Sequence, residues 1–251
     1  MRIFVSLMMA MLLLAGCGGE VVEPAPEATA MMPTAIPVED TPVQADTSEP
    51  DVACSIPVPS SEIWRISLCE TFDDNAYGWQ EETQDNPYSA YTSAVKDGKF
   101  TVDYRAKNFA GFTQSAVTWF DVAQNKNFIL SVTGQIESSF ADTSWGVAFR
   151  GNGQDFLLFT INNDDNYVFE VFEDNVWLPL ITNKQTNLIK VGEPNTLRIE
   201  AVGQDMYFSI NGAMVNQYSG VTLDGDQIQL MVSAKEGVTA LFSFDDVVLQ
   251  E

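Results

Sequence analysis

Met206-Tyr-Phe-Ser-Ile-Asn-Gly-Ala-Met-Val215 is the stretch that decides the fold class of this chain. Met206, Phe208 and Ile210 alternate with more polar residues, and a period of two is typical of a β-strand with one buried face. Asn211-Gly212 follows directly, and both residues tolerate the positive φ angles of a type I′ turn. The stretch therefore predicts a β-hairpin.

The same alternation continues through the chain from about residue 61 onward. It is clearest at Lys99 to Arg105, Phe128 to Thr133, Trp145 to Arg150 and Leu197 to Val202. Turn-forming sequences separate these runs, namely Asp97-Gly98, Asn152-Gly153, Asn162 to Asn166, Glu173 to Asn175, Gly203-Gln204 and Asp224-Gly225. The only helix candidate is a weak one, Thr182 to Ile189. We expect an all-β domain, a two-sheet antiparallel sandwich of about eleven to fourteen strands.

The N-terminus has the pattern of an export signal. Arg2 precedes an apolar run from Ile3 to Leu14, and Leu14-Ala-Gly-Cys17 closes it with small residues before a cysteine. This pattern predicts a lipoprotein signal peptide over residues 1–16 and lipidation of Cys17. Twelve residues of helix span only about 18 Å, which is short for a hydrocarbon core of about 30 Å, so a permanent membrane span is the weaker interpretation.

Residues 17–60 have the composition of a tether. Gly18 to Ser60 holds no aromatic residue, no lysine and no arginine, but it holds eight of the eleven prolines. Such a segment cannot bury enough apolar surface to fold. We expect a disordered linker here, and one folded domain over residues 61–251, where all the tryptophans and tyrosines lie.

Charge and composition exclude several kinds of function. The chain carries a formal net charge of −23 and contains no histidine. An acidic surface of this size repels nucleic acid, so we expect no nucleic-acid partner. The absence of histidine excludes Ser-His-Asp and Cys-His nucleophile pairs and histidine-ligated zinc, so any enzyme activity would rest on carboxylates, lysine or tyrosine.

Two cysteines remain besides Cys17. Cys54 and Cys69 would form an even pair in the oxidising compartment that an export signal implies. A disulfide between them would contribute about 3 kcal/mol to stability. Two free thiols are the alternative.

A series of motifs gives the domain a family resemblance. They occur in this order: Phe72-Asp-Asp-Asn-Ala-Tyr-Gly-Trp79, Trp145-Gly-Val-Ala-Phe-Arg150, Gly192-Glu-Pro-Asn-Thr-Leu-Arg-Ile199 and Phe244-Asp-Asp-Val-Val-Leu249. In order and spacing the domain resembles concanavalin A-like lectin and glucanase jelly rolls. It is most similar to the laminin-G-like and 3-keto-disaccharide-hydrolase-like branch often found on bacterial lipoproteins. The resemblance implies two curved antiparallel sheets, adjacent first and last strands, and a concave face that binds glycans in many relatives.

Catalysis by such a sandwich would need two carboxylates about 5 to 9 Å apart on the concave face. Laminarinase-type relatives carry them in a Glu-x-Asp-x-x-Glu pattern, which this sequence lacks. The nearest acidic group is Glu170, Glu173 and Asp174. We expect Glu170 to be a solvated strand carboxylate. An enzyme is therefore the less favoured hypothesis.

Sugar binding needs aromatic rings beside planar polar groups. The candidates are Trp145, Arg150, Tyr167, Trp177 and Tyr207. Alternation places Trp145 and Arg150 on opposite faces, so one of the two is expected in the core and the other in solvent. Arg150 lies beside the Gly151-Asn-Gly153 turn and could present its guanidinium to a ligand, with a surface ion pair as the alternative.

Calcium is a possible cofactor. Asp73 and Asp74 in the opening motif would lie near Asp245 and Asp246 in the closing strand if the first and last strands pair, as the resemblance implies. Four adjacent carboxylates would repel one another unless a cation or hydrogen bonds offset the charge.

Three hypotheses follow for function. The first is an extracytoplasmic lipoprotein, attached to the bacterial cell envelope through lipid on Cys17, whose sandwich binds a glycan or another surface ligand without catalysis. The second is a glycan-active hydrolase of the same fold. The third is a structural lipoprotein whose sandwich docks a cell-surface protein.

Overall fold

The computed structural model describes residues 64–108, 111–116, 127–138 and 142–251, with the backbone alone for 111–116. Within these ranges the protein is all-β and contains no helix. The strands are β1 (Ile66–Glu70), β2 (Glu82–Asp85), β3 (Ser89–Lys96), β4 (Lys99–Ala106), β5 (Gly111–Ala116), β6 (Phe128–Ile136), β7 (Thr143–Gly151), β8 (Phe156–Asn162), β9 (Asn166–Glu173), β10 (Val176–Gln185), β11 (Asn195–Val202), β12 (Asp205–Ile210), β13 (Ala213–Tyr218), β14 (Gln227–Ala234) and β15 (Thr239–Gln250).

The strands form two antiparallel sheets that pack as a sandwich. The nine-stranded sheet has the order β13-β12-β11-β6-β15-β4-β3-β2, with β1 also paired to β15. The six-stranded sheet has the order β10-β9-β8-β7-β14-β5. The predicted two-sheet antiparallel sandwich is therefore confirmed.

Strand β15 lies at the centre of the nine-stranded sheet. One of its edges pairs with β4 over Thr239 to Phe244 and with β1 from Val247 to Gln250, while its other edge pairs with β6. The first and last described strands are thus neighbours, as the sequence resemblance implied. A single twelve-residue strand joins three others.

The core lies between the sheets and is built by alternate residues of both. Its largest fully buried side chains include Trp79, Trp145, Phe159, Phe208 and Phe244. Trp145 of β7 reaches across to the other sheet and meets Phe244 edge-on, with 5.6 Å between ring centroids. A Cβ atom at Gly134 would lie only 3.0 Å from both of these rings, so the glycine makes room for them.

The predicted hairpin is present between β12 and β13. Asn211 has φ 51° and Gly212 has φ 80°, and both lie in the left-handed region that a type I′ turn requires. The Asn211 side chain accepts a hydrogen bond from the Thr196 amide and donates one to the Leu188 carbonyl. The turn is therefore anchored to its neighbouring strand and loop.

The expected strand count was too low, and the helix candidate was wrong. Fifteen strands occur in the described residues, and one that alternation could not reveal is β2, because Glu-Thr-Gln-Asp has no apolar residue to mark a buried face. Residues 182–185 continue the edge strand β10 instead of starting a helix. Pairing with β9 overrides the weak helical periodicity there.

The opening loop is held by a buried carboxylate. Glu70 is 3% exposed and accepts hydrogen bonds from the Phe72 amide and the Trp79 indole, both at 2.7 Å. Phe72 adopts a left-handed φ of 56°, which Glu70 helps to hold in place. Its ring packs 5.1 Å from Trp79 in the core.

The N-terminal predictions fall mostly outside the described residues. The signal peptide, Cys17, the linker and Cys54 are all in that part of the chain. Cys69 is buried, and its disulfide with Cys54 stays a prediction. The described part of the chain contains no apolar helix of membrane-spanning length.

Candidate ligand-binding surface

Two of the five predicted ligand residues lie in the core. Trp145 is 1% exposed and Tyr167 is 5% exposed, and both belong to the main hydrophobic cluster between the sheets. The Tyr167 hydroxyl donates to the Val215 carbonyl at 3.1 Å, which ties β9 to β13 of the opposite sheet. Both rings serve packing.

Arg150 is buried, so the expectation that either Trp145 or Arg150 faces solvent was wrong. Arg150 has a left-handed φ of 50°, which ends the strand's alternation and turns the side chain inward. Its guanidinium lies 5.7 Å from the centroid of the Phe128 ring and donates to the Gly203 carbonyl at 2.7 Å. Burial lowers the pKa of this group, and nearby Asp224 opposes that shift. Arg150 thus joins the two sheets at one end of the sandwich.

The remaining two candidates reach the surface on different sheets. Trp177 is 38% exposed on β10, an edge strand of the six-stranded sheet. Tyr207 is half-buried on β12, in the nine-stranded sheet, between Glu200 and Gln217 of its neighbouring strands. The five predicted residues therefore do not form one site.

The four predicted calcium ligands do not form a cluster either. Asp73 accepts a hydrogen bond from Thr71, and Asp74 accepts one from the Ala76 amide, as is usual in exposed turns. Asp246 is 5% exposed on β15, at an irregularity in its pairing with β6. Among the described residues, no three acidic or cysteine side chains lie together as metal ligands would.

An aromatic row crosses the outer face of the six-stranded sheet, which is the face turned away from the core. Strand register places Phe156 of β8, Phe172 of β9 and Trp177 of β10 side by side. Their ring centroids are 5.3 Å apart for Phe156 and Phe172 and 4.8 Å apart for Phe172 and Trp177. We call these three residues the aromatic row.

Glu170 lies one step along β9 from the aromatic row and on the same face. Its cross-strand neighbours are Leu158 and Pro179, neither of which can donate a side-chain hydrogen bond. Burial therefore raises the pKa of the Glu170 carboxyl group. The carboxylate expected to be solvated is instead half-buried, because apolar side chains flank it on both sides.

The same face carries a small apolar cluster beyond Glu170. Ala148, Leu158 and Met231 are each no more than 2% exposed, and Phe156 packs against them. Gln229, beside Ala148, is 2% exposed, and its side-chain oxygen has no hydrogen-bond partner. This face is therefore apolar, with a few polar groups in defined positions.

The outer face of the nine-stranded sheet has the opposite character. At its β2 end, Thr83, Thr92 and Asp103 form one cross-strand row, and Asp85, Ala90, Arg105 and Thr239 form the next. Toward the other end, Arg198 and Glu200 form an ion pair at 3.0 Å. This face presents hydroxyl and charged groups where the other presents aromatic rings.

The sequence contains a signal for the aromatic row that a search for alternating residues misses. Phe156 to Ile161 and Tyr167 to Phe172 are apolar at both odd and even positions. A strand with two apolar faces has a second surface to cover besides the core. Adjacency of Phe156, Phe172 and Trp177, however, depends on the register between three strands, which one sequence does not give.

Comparisons with known proteins identify the fold. No protein-family model matches the sequence, and no curated protein is detectably similar to it. The family 16 endo-glucanase from Bacteroides ovatus superposes with a TM-score of 0.54 at 9% identity, covering 72% of this chain and 99% of its own.

Two laminarinases are similar to the same extent. The catalytic domain from Thermotoga petrophila gives a TM-score of 0.52 at 9% identity, covering 75% of this chain and 98% of its own. The enzyme from Flavobacterium gives 0.51 at 11% identity, covering 74% and 100%. These identities establish the fold alone, and the domain is a concanavalin A-like jelly roll.

Proposed function

We propose that the domain binds a glycan without cleaving it, through the aromatic row and Glu170 on the outer face of the six-stranded sheet. The observation that carries the proposal is the row itself, three aromatic rings from three adjacent strands with a carboxyl group two residues away on the same face. The alternatives are that the domain is a glycan-active hydrolase, or that it docks a cell-surface protein.

The chemistry of this face suits a sugar ring. The C–H groups of a pyranose pack on flat aromatic rings, and Trp177 is exposed on the edge strand to receive them. The hydroxyl groups at the ring edge need hydrogen-bond partners, and Glu170 offers an acceptor beside Phe172. Because no side chain of the described residues donates a hydrogen bond to this carboxyl group, it is available to a ligand.

The acidic groups favour binding over hydrolysis. Glycoside hydrolysis generally needs two carboxyl groups about 5 to 9.5 Å apart. Glu170 is the only carboxyl group that alternation places on the outer face of the six-stranded sheet within its described strands. The chain also has no histidine to act as an alternative base.

The experiment is a glycan-binding measurement on the mature chain carrying Cys17→Ser, which removes the lipid site. We expect binding to be weakened about tenfold or more by Trp177→Ala, because the exposed ring supplies the stacking surface. Tyr207→Ala, a surface ring of the other sheet, is the matched control and should leave binding unchanged. Equal binding by the wild-type and Trp177→Ala chains would overturn the proposed site.

Catalysis is tested on the glycans that bind. We expect no new reducing ends after prolonged incubation. Hydrolysis needs one carboxyl group as the general acid and a second as the base or nucleophile, and this face offers only Glu170 among the described strands. Release of reducing ends that Glu170→Gln abolishes would instead support the hydrolase alternative.

We also propose that the domain is held on the outer side of a bacterial membrane by lipid on Cys17, which would place the binding face among envelope or environmental glycans. The support is the sequence pattern at residues 1–17. Cys17→Ser should move the protein from the membrane fraction to the soluble fraction. Retention of that variant in the membrane fraction would exclude the lipid anchor.

A further inference from the structure

A groove crosses the outer face of the nine-stranded sheet near its β2 edge, on the opposite side of the molecule from the aromatic row. Its volume is about 350 Å³, and Ala90, a small residue, contributes to its floor. Hydroxyl groups of Thr83, Thr92 and Thr239 line it, together with charged groups of β2 and β4. The groove contains no exposed aromatic ring, so a stacked sugar does not suit it.

Two opposite charges in this groove have no partner among the described residues. Asp103 and Arg105 both point outward from β4 and are exposed. Other described cations, such as Lys96, Lys107 and Lys235, have acidic partners, and Asp85 is held by Lys107. Within the part of the chain that the structure describes, no ion pair or side-chain hydrogen bond involves Asp103 or Arg105.

Arg105 is the only basic residue that lines the groove in the described ranges. Lys184 and Lys190 are other described cations without an acidic partner, but they lie outside the groove. The strand geometry keeps Asp103 and Arg105 side by side, with their Cα atoms roughly 6.6 Å apart. The groove therefore presents a negative and a positive group from alternate positions of one strand, surrounded by hydroxyl groups.

We propose that this groove binds a short zwitterionic peptide, a dipeptide with a free amino and a free carboxyl terminus. The ligand carboxylate would lie on the Arg105 guanidinium, which can donate two parallel hydrogen bonds, and the ammonium group would lie on Asp103. An extended dipeptide spans at most roughly 7 Å, a length comparable to the spacing of the two Cα atoms. Thr92 and Thr239 flank them and can bond to the peptide group.

The test is titration of alanyl-alanine into the mature Cys17→Ser chain, followed by calorimetry or amide chemical shifts. We expect weak binding that falls about threefold or more when either end of the dipeptide is blocked by acetylation or amidation. Arg105→Gln and Asp103→Asn should each have the same effect. Lys190→Gln removes an exposed cation elsewhere and should not alter binding.

A charge swap makes the test decisive. The double variant with Asp103→Arg and Arg105→Asp keeps the net charge, and it should restore binding because the dipeptide can bind in the reverse direction. Thermal melting verifies that each variant is folded, as expected for exposed side chains. Absence of binding, or binding that is insensitive to blocked termini, would overturn the proposal. Glycan binding by the Trp177 face should be unaffected throughout, so the two proposals fail separately.

Discussion

The two outer faces of this sandwich differ although both belong to one fold. On the six-stranded sheet, apolar side chains continue from Ala148 and Leu158 to the aromatic row, and one carboxyl group is half-buried among them. On the nine-stranded sheet, threonines and charged residues fill the corresponding positions of β2, β3 and β4. The comparison teaches that packing of the core accounts for the apolar residues on only one face of the six-stranded sheet. The apolar residues on its outer face need a separate explanation.

The largest expected effect is a loss of stability on the apolar face. Leu158→Ala should lower the free energy of unfolding by about 3 kcal/mol, because the side chain is 2% exposed and its removal leaves a cavity beside Met231. Thr92→Ala, on the outer face of the other sheet, should change it by less than about 0.5 kcal/mol. Denaturant unfolding measures both. Similar losses of stability for the two variants would contradict the conclusion that the two outer faces differ.

The next effect concerns charge and depends on pH. A carboxyl group whose pKa is raised in the folded state favours folding when it is protonated. This contribution is complete below the ordinary pKa of about 4.3 and is lost as pH rises through the folded-state pKa. Glu170→Gln should therefore raise the Tm at neutral pH. The gain should stay below about 1 kcal/mol, since the group is only half-buried, and should vanish as pH falls to about 4.

Glu200 provides the matched comparison for Glu170. It lies on the outer face of the nine-stranded sheet and pairs with Arg198, so Glu200→Gln should lower stability at neutral pH by about 0.2 to 1 kcal/mol. Opposite signs for the two substitutions are expected in the same thermal melts. If both substitutions destabilise, Glu170 is not the poorly solvated group that the geometry indicates.

The smallest expected effect is that of calcium. Because Asp73, Asp74, Asp245 and Asp246 do not come together as a cluster, chelation followed by excess calcium should leave the Tm unchanged. Differential scanning calorimetry is the measurement. A rise in Tm with calcium that Asp246→Asn abolishes would establish the cation site expected from the sequence.

Alternation and turn residues were enough to predict the general architecture. The Asn211-Gly212 hairpin and strands such as β4 follow from local patterns that need no knowledge of the rest of the chain. Strand β2 escaped detection because it has no apolar residue, and its pairing with β3 is set by neighbours instead. Local propensity thus identified the strands whose side chains face the core.

The candidate site was much harder to predict. Trp177 was identified as one of several aromatic rings able to stack on a sugar, but its partners Phe156 and Phe172 come from other strands. Arg150 was misplaced because a single left-handed residue changes the side on which a side chain emerges. Sites of this kind depend on register and on local backbone geometry, and neither is encoded in residue spacing along one strand.

The position of β15 has a consequence for synthesis on the ribosome. This strand is the last to be translated among those described, yet β1 pairs with it alone, and β4 and β6 each pair with it along one edge. The nine-stranded sheet therefore lacks its centre until residues 239–250 have emerged, and its two halves, β2-β3-β4 and β6-β11-β12-β13, stay unjoined until then. The nascent chain stays open late in translation, a state suited to any transport step that accepts only an unfolded polypeptide.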